Sequence, residues 1–262
     1  MTAEREPAGP PLSSTARTTL RRAREKGRTE RTALFDVLAA GLVCHLGVIV
    51  DGSPMVVPTV YGFDRKHLFI HGSVASQSLA CRPGSPACVT VTVVDGLVLA
   101  RSVFEHSVNY RSAMIYGVPR AVTDAGEKLA GLRLITEHVA PGQWHYARQP
   151  SRKELAAATL LALPLDEASV KWRSGPPDDA EGPDAGRGLW AGELPLVGVW
   201  QPAVPDPALD PGTPVPPHIA ARSGTALGHA PGHAPGHALG HALGHALGHG
   251  RGTADDSRPN LR

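Results

Sequence analysis

Over residues 29–201 apolar and polar positions alternate in short runs separated by turn residues, a pattern the flanking segments lack. Residues 31–40 carry apolar side chains at helical spacing and stop at Gly41, which predicts a short amphipathic helix. Residues 44–50 alternate as a strand, Asp51-Gly52 is a hairpin signal into residues 55–63, and a polar turn at residues 64–66 returns the chain through residues 67–71. That is a three-strand meander. Residues 73–81 read as a helix with Pro83-Gly84 after it. Residues 88–94 form a β-branched strand, Asp95-Gly96 turns, and residues 97–104 return. A further strand covers residues 113–122, interrupted by Gly117. An amphipathic helix covers residues 126–138 and ends at Pro141-Gly142, and residues 160–165 and 169–173 add two strands. Six or more short hairpin-linked strands with few helices predict a small antiparallel β-barrel, whose closure removes exposed strand edges.

Composition sharpens the boundaries. Hydrophobic residues make up 42% of the 262, while Gly (29) and Pro (25) together supply about a fifth, the mark of a packed domain diluted by polar segments. Residues 1–28 hold Pro7, Pro10, Pro11 and a basic run with almost nothing to bury, so they read as a disordered arm. Residues 202–262 read as a disordered Pro/Gly/Ala/His-rich tail. The formal net charge of +2 argues against a nucleic-acid partner that needs many phosphates neutralised. No apolar run approaches the roughly 20 residues needed to span a bilayer, and the start of the chain has no secretory apolar segment. Cys44, Cys81 and Cys88 are odd in number and lack metal-ligand spacing, which fits a reduced, cytoplasmic setting.

Several runs, taken together and in order, carry a resemblance: residues 68–76 (LFIHGSVAS), 94–102 (VDGLVLARS), 106–112 (HSVNYRS), 171–177 (KWRSGPP) and Trp190-Ala191-Gly192. The chain resembles the pyridoxamine 5′-phosphate oxidase-like flavoproteins, in the branch that includes the nitroimidazole-resistance (Nim-type) reductases. The resemblance implies a mainly β fold, an FMN-binding split β-barrel (antiparallel, Greek-key-like) with a few flanking helices, spanning residues 29–201. It also implies a homodimer holding FMN in clefts between subunits. The activity it implies is an FMN-dependent oxidoreductase that passes electrons from a reduced nicotinamide to a small organic acceptor, a nitro compound among the candidates. A non-catalytic flavin-binding or storage protein and a haem-binding or haem-degrading protein are the alternatives on the same fold. The clustered Arg and Lys of a true pyridoxamine-phosphate oxidase are missing.

The residues can be matched to what FMN needs. Its dianionic phosphate suits a turn rich in backbone N–H groups and hydroxyls at a helix start, and His71, Gly72, Ser73 and Ser76 have that form. Relatives usually place a basic residue just after this motif; Gln77 and Ser78 stand there, so either FMN is bound weakly or Arg101 or Arg111 supplies the charge. For the flavin ring the resemblance points to Val57, Pro58 and Thr59, with Pro58, lacking an N–H, at a break in the strand ladder. Tyr110 would cover the ring or ribityl chain, and Arg111 would hold phosphate bidentately. His71 is the catalytic candidate, more as an orienting hydrogen-bonding group than as an acid or base. Trp172 and Trp190 are expected as core or interface aromatics, and residues 178–187 as a mobile acidic loop. In the tail, His229, His233, His237, His241, His245 and His249 recur every four residues within Gly-rich repeats, a spacing that suits Zn²⁺, Ni²⁺ or Cu²⁺ only if the segment is helical. No catalytic metal is expected.

Overall fold

A computed structural model describes residues 11–73 and 84–228. In chain order its elements are β1 (Gly27–Arg28), α1 (Arg31–Ala40), β2 (Val43–Val50), β3 (Ser53–Phe63), β4 (His67–Ser73), β5 (Ala87–Leu99), β6 (Ser107–Gly117), β7 (Arg120–Ala121), α2 (Ala125–Val139), α3 (Gln143–Tyr146), α4 (Arg152–Ala157), β8 (Ala158–Pro164), β9 (Glu167–Arg173), β10 (Gly192–Pro195) and α5 (Pro217–Ala220). The strands pair antiparallel in the order β1-β9-β6-β5-β2-β3-β4-β8-β7, and β10 adds to β5. This is the mainly β, split-barrel architecture expected from the sequence.

Alternation decides what each strand buries. Cys44, Leu46 and Val48 point inward from β2, and Val89 and Val91 from β5. They meet Leu34, Val37 and Leu38 of α1, Ile115 of β6 and Leu163 of β8 in one apolar core. Full burial of each such aliphatic side chain contributes about 1.5–3 kcal/mol. Tyr61 sits within it, fully buried, its hydroxyl donating to the carbonyls of Leu38 (2.6 Å) and Gly41 (3.0 Å) at the end of α1. Gly41 is needed there for space: a Cβ would stand 2.4 Å from Val91 and 2.9 Å from the Tyr61 hydroxyl. A second, smaller cluster lies under α2, where Ile135 packs on Phe69, Val122, Leu160 and Ala162. Asp124 starts α2 by accepting a hydrogen bond from the Glu127 N–H (2.8 Å).

Asp51 and Gly52 both have positive φ (47° and 78°), as the tight β2–β3 hairpin requires. The same dipeptide at Asp95-Gly96 does not turn. β5 runs straight through it, with a register irregularity between Val94 and Gly96 that bulges Asp95 out of the ladder. The reason is non-local. Asp95 is held by Arg111 of β6, while β10 pairs with residues 96–99 along the edge of β5 that β2 leaves after Thr90.

Other expectations are corrected by packing. The return strand read over residues 97–104 ends at Leu99 and gives way to a 3-10 turn over Val103–Glu105. The strand read over residues 113–122 begins earlier, at Ser107, and breaks before Arg120. The short helices α3 and α4 had not been anticipated. Ser73 closes β4, and the helix read over residues 73–81 otherwise lies outside the described residues.

The arm is not loose from residue 11 onward. Leu12 joins the core, its N–H donates to the Thr29 carbonyl (2.9 Å), Arg17 pairs with Glu167, and β1 pairs with β9. Nor is the start of the tail. Arg222 lies over the Trp200 ring (4.3 Å to its centroid) and donates to the Val139 carbonyl (2.8 Å), and Val199 bridges Ala226. Local composition cannot show that an Arg or a Leu in a polar segment has a docking partner elsewhere in the chain. Residues 1–10 and 229–262, the histidine repeat included, lie outside the described residues.

Candidate functional site

β3 changes partner part-way along its length. Residues 53–60 pair with β2, whereas β4 pairs with β3 only at Tyr61↔Ile70, Gly62↔Phe69 and Phe63↔Leu68. Beyond His71, β4 turns away and continues its ladder with β8 alone, His71 opposite Leu160 and Gly72 opposite Thr159. The result is a wedge between two diverging strands, with its apex at Tyr61. Among the described residues no strand covers the outer edge of residues 53–60, so alternate backbone N–H and C=O groups there face outward.

Val57, Pro58 and Thr59 form one lip of this wedge, with Pro58 exposed and its two neighbours half-buried. Pro58 thus lies on an edge without a strand partner, where its missing N–H breaks no ladder. His71 and Gly72, followed by Ser73, form the other lip. His71 is exposed to solvent yet crowded enough that desolvation lowers its pKa from the usual histidine value. A neutral imidazole there both donates and accepts. Sequence reasoning missed His45, which is exposed on β2 directly opposite Pro58 and borders the same lip. Its signal was an outward position in an alternating strand. Ser76, the remaining phosphate candidate, and Gln77 lie outside the described residues.

The structure does not bring Arg101, Tyr110 or Arg111 to this wedge within one protomer. β6 lies three strands from β3 in the sheet, about 14 Å at ordinary strand spacing. Tyr110 and Arg111 are inside β6, not beyond a strand end, opposite Val94 and Val93. Arg111 holds Asp95 through a two-pronged pair, Nε to Oδ2 (2.9 Å) and Nη2 to Oδ1 (2.7 Å), and lies over the Trp172 ring. Arg101 meets Asp179, which also accepts the Arg101 backbone N–H (2.6 Å). These bonds hold the Asp179 carboxyl below its usual pKa although burial works the other way. Both guanidinium groups are therefore neutralised locally. Asp179 is itself buried, so this part of the segment read as a mobile acidic loop is anchored.

Beside that pair lies a polar cluster that sequence reasoning did not find. Arg173 is 5% exposed; it donates to Asn109 Oδ1 and to the carbonyls of Gly175 (2.9 Å) and Pro176 (3.0 Å). Asn109 in turn donates to Glu193 of β10 (2.6 Å). The cluster fastens the β9–β10 connection and β10 to β6. Trp190, in that connection, is 68% exposed and does not join the core. His106 accepts the Ala100 N–H at Nδ1 (3.1 Å), a structural role. No group of three or more His, Cys, Asp or Glu among the described residues is arranged to hold a metal ion.

Comparison with known proteins places this fold in a family. The sequence model of the pyridoxamine 5′-phosphate oxidase family matches residues 30–172, more than half of the chain. The chain belongs to this family. Among solved structures it is similar to the flavocytochrome Anf3 from Azotobacter vinelandii, at 32% identity over 82% of this chain and 100% of that one, with a TM-score of 0.76. It is also similar to the FAD and haem binding protein from Mycobacterium smegmatis, at 37% identity over 77% of this chain and 98% of that one, with a TM-score of 0.72. A slighter likeness, 20% identity over 55% of this chain and 85% of that one with a TM-score of 0.48, runs to a protein named for 5-nitroimidazole antibiotic resistance in Bacteroides thetaiotaomicron and bears no argument about function. No curated protein matches the chain. Among the described residues no helix is long and apolar enough to cross a membrane.

Proposed function

We propose that this chain is a flavin-binding oxidoreductase that also carries haem, accepting electrons from a reduced nicotinamide and delivering them to a small acceptor. The observation that carries the reading is likeness over nearly the whole length of two solved proteins, one a flavocytochrome and the other an FAD and haem binding protein. The expected cofactor is thereby widened from FMN to FMN or FAD. A nitro compound remains one candidate acceptor.

The residues of the wedge fit a flavin. The open edge of β3 offers backbone hydrogen-bonding groups to a planar ring, and Val57 and Pro58 offer apolar surface. When bound, the flavin supplies the passage between two-electron and one-electron chemistry. The part left to the protein is positional. Val57, Pro58 and Thr59 hold the ring along one edge, His71 orients it with a neutral imidazole, and the β3–β4 pairing at Tyr61–Phe63 fixes the angle of the opening. Imidazole is one common ligand of haem iron, and His45 and His71 are exposed imidazoles that border the two lips.

The site is proposed to be completed by a second copy of the chain. β2 and β3 present Val43, Ile49 and Val56 to solvent at 44%, 57% and 65% exposure, next to the wedge. Apolar side chains gathered on one sheet face mark an association surface. Extraction of the cofactors from purified full-length protein tests the assignment: flavin identified by mass and haem by its pyridine complex, followed by anaerobic addition of NADH or NADPH. The reading expects flavin bleaching at a rate well above that of free flavin. Protein that retains neither cofactor after reconstitution would overturn it, and bound flavin reduced no faster than free flavin would favour a storage role instead.

A further inference from the structure

The N-terminal arm and β9 enclose a groove of about 340 Å³ whose lining contains no aspartate or glutamate. Its lining carries the polar side chains of Arg24, Arg28, Ser14, Thr19 and Ser169, and the half-buried Leu20 gives it an apolar floor. The nearby carboxylate of Glu167 is already engaged by Arg17 and Thr15 (2.5 Å to Thr15), and Glu30 accepts the Thr29 N–H (3.2 Å). Arg28 is held by carbonyls instead, those of Glu25 (3.2 Å) and Gly27 (3.0 Å). Its guanidinium is thus oriented but not neutralised. Among the described residues Arg24 makes no ion pair.

The arm is fixed around this groove. Thr18 donates to the Ser13 carbonyl (3.0 Å), Ser13 to the Asp166 carbonyl (2.7 Å), and β1 locks onto β9. Gly27 brings the backbone against Leu20, where a Cβ would stand 2.8 Å from the leucine Cδ1. Two uncompensated guanidinium groups beside hydroxyls match the oxygens of a phosphate. An apolar floor in a groove of small-molecule size has no use for inorganic phosphate alone but suits a flat base or ring.

We propose that this groove binds a nucleoside diphosphate or a similar organic phosphate, its phosphates on Arg24 and Arg28 and its base over Leu20. β9 lies four strands from β3 in the sheet, so the site is separate from the wedge and does not depend on the flavin reading.

Calorimetric titration of the full-length, cofactor-loaded protein with ADP tests this, with adenosine and inorganic phosphate titrated separately. Saturable binding of one ADP per chain is expected, about tenfold or more tighter than either fragment. Arg24→Ala with Arg28→Ala should weaken it about tenfold or more. The control pair Arg21→Ala with Arg22→Ala removes the same charge outside the groove and should change it less than about threefold. Cofactor content and melting temperature establish that both variants fold, and Arg28→Lys should keep part of the affinity should the double variant fail to fold. Absence of saturable ADP binding overturns the proposal, as does equal weakening by both pairs, which would mean diffuse charge. Unchanged binding in the Arg24/Arg28 variant places the nucleotide elsewhere and overturns it too. So does capture by phosphatidylserine vesicles without ADP binding.

Discussion

Replacing Gly62 by alanine tests how the wedge is held. Gly62 pairs with Phe69 at the apex, where β3 and β4 still share a ladder, and α2 crosses directly over it. A Cβ at this position would lie 2.4 Å from the Ile135 nitrogen, 2.5 Å from the Leu134 carbonyl carbon and 2.7 Å from the Ile135 Cα. Ordinary contact begins near 3.4 Å, so α2 must move off β3 by about 1 Å. All three obstructing atoms are backbone, and no side-chain rotation relieves the clash. Overpacking of this kind costs about 1–3 kcal/mol, and the rigidity of the obstruction places Gly62→Ala at the upper end, about 3 kcal/mol. For a domain of this size that corresponds to a fall in Tm of roughly 6–12 °C. Urea unfolding followed by circular dichroism measures it as a lower midpoint at unchanged slope. Gly186→Ala, with open space around it, should stay within about 0.5 kcal/mol of the parent. Since α2 braces the apex, flavin retention should fall with stability. A Gly62→Ala loss below about 1 kcal/mol would refute the claim that α2 clamps the opening.

Removing Arg111 as Arg111→Ala should leave flavin content unchanged while lowering stability by about 1 kcal/mol, because its partner is Asp95; absorbance of the purified variant and urea melts check both. Burial lowers the pKa of His138, whose ring packs 4.6 Å from that of Tyr61 and whose Nε2 lies 2.8 Å from the Gly41 carbonyl oxygen, and desolvation lowers that of His71. The folded state then holds fewer protons than the unfolded chain once pH falls to about 6.5. Stability present above that pH is lost on acidification until the folded-state pKa values are passed. Urea midpoints should therefore drop between about pH 7.5 and 5, and His138→Gln should flatten part of the slope. Asp124→Ala removes the side-chain cap of α2 and should cost about 1 kcal/mol, read as a shift in the thermal midpoint.

Local signals sufficed for β2, β3 and β4, since β2 alternates, β4 is a short apolar run bounded by polar residues, and Asp51-Gly52 supplies a turn that needs nothing beyond its own φ angles. The identical pair at Asp95-Gly96 misled because its fate depends on Arg111, sixteen residues on, and on β10, about a hundred residues on. Val57, Pro58, Thr59, His71 and Gly72, which the family resemblance named as flavin contacts, lie on the two lips of the wedge. Periodicity alone does not reveal that β3 exchanges β2 for β4 at Tyr61: the alternation in burial ends there, with residues 59–62 all half-buried or buried, but Val60-Tyr61-Gly62 carries no polar break in sequence that would mark it. The carboxylate partners of the arginines were hidden for the opposite reason. A free-looking guanidinium in sequence says nothing of the carboxylate that will face it, and Asp95 and Asp179 were read only as turn and loop residues. The Arg173–Asn109–Glu193 cluster joins three distant segments and leaves no trace in any one of them.

The central claim is that a flavin occupies the opening between the unpaired edge of β3 and the end of β4. A crystal structure of the full-length protein purified with its cofactor tests it directly. The account predicts an isoalloxazine ring lying against the backbone of Val57, Pro58 and Thr59 with His71 within hydrogen-bonding reach. A flavin seated on another face of the sheet, or an opening filled by the protein's own side chains, would contradict it.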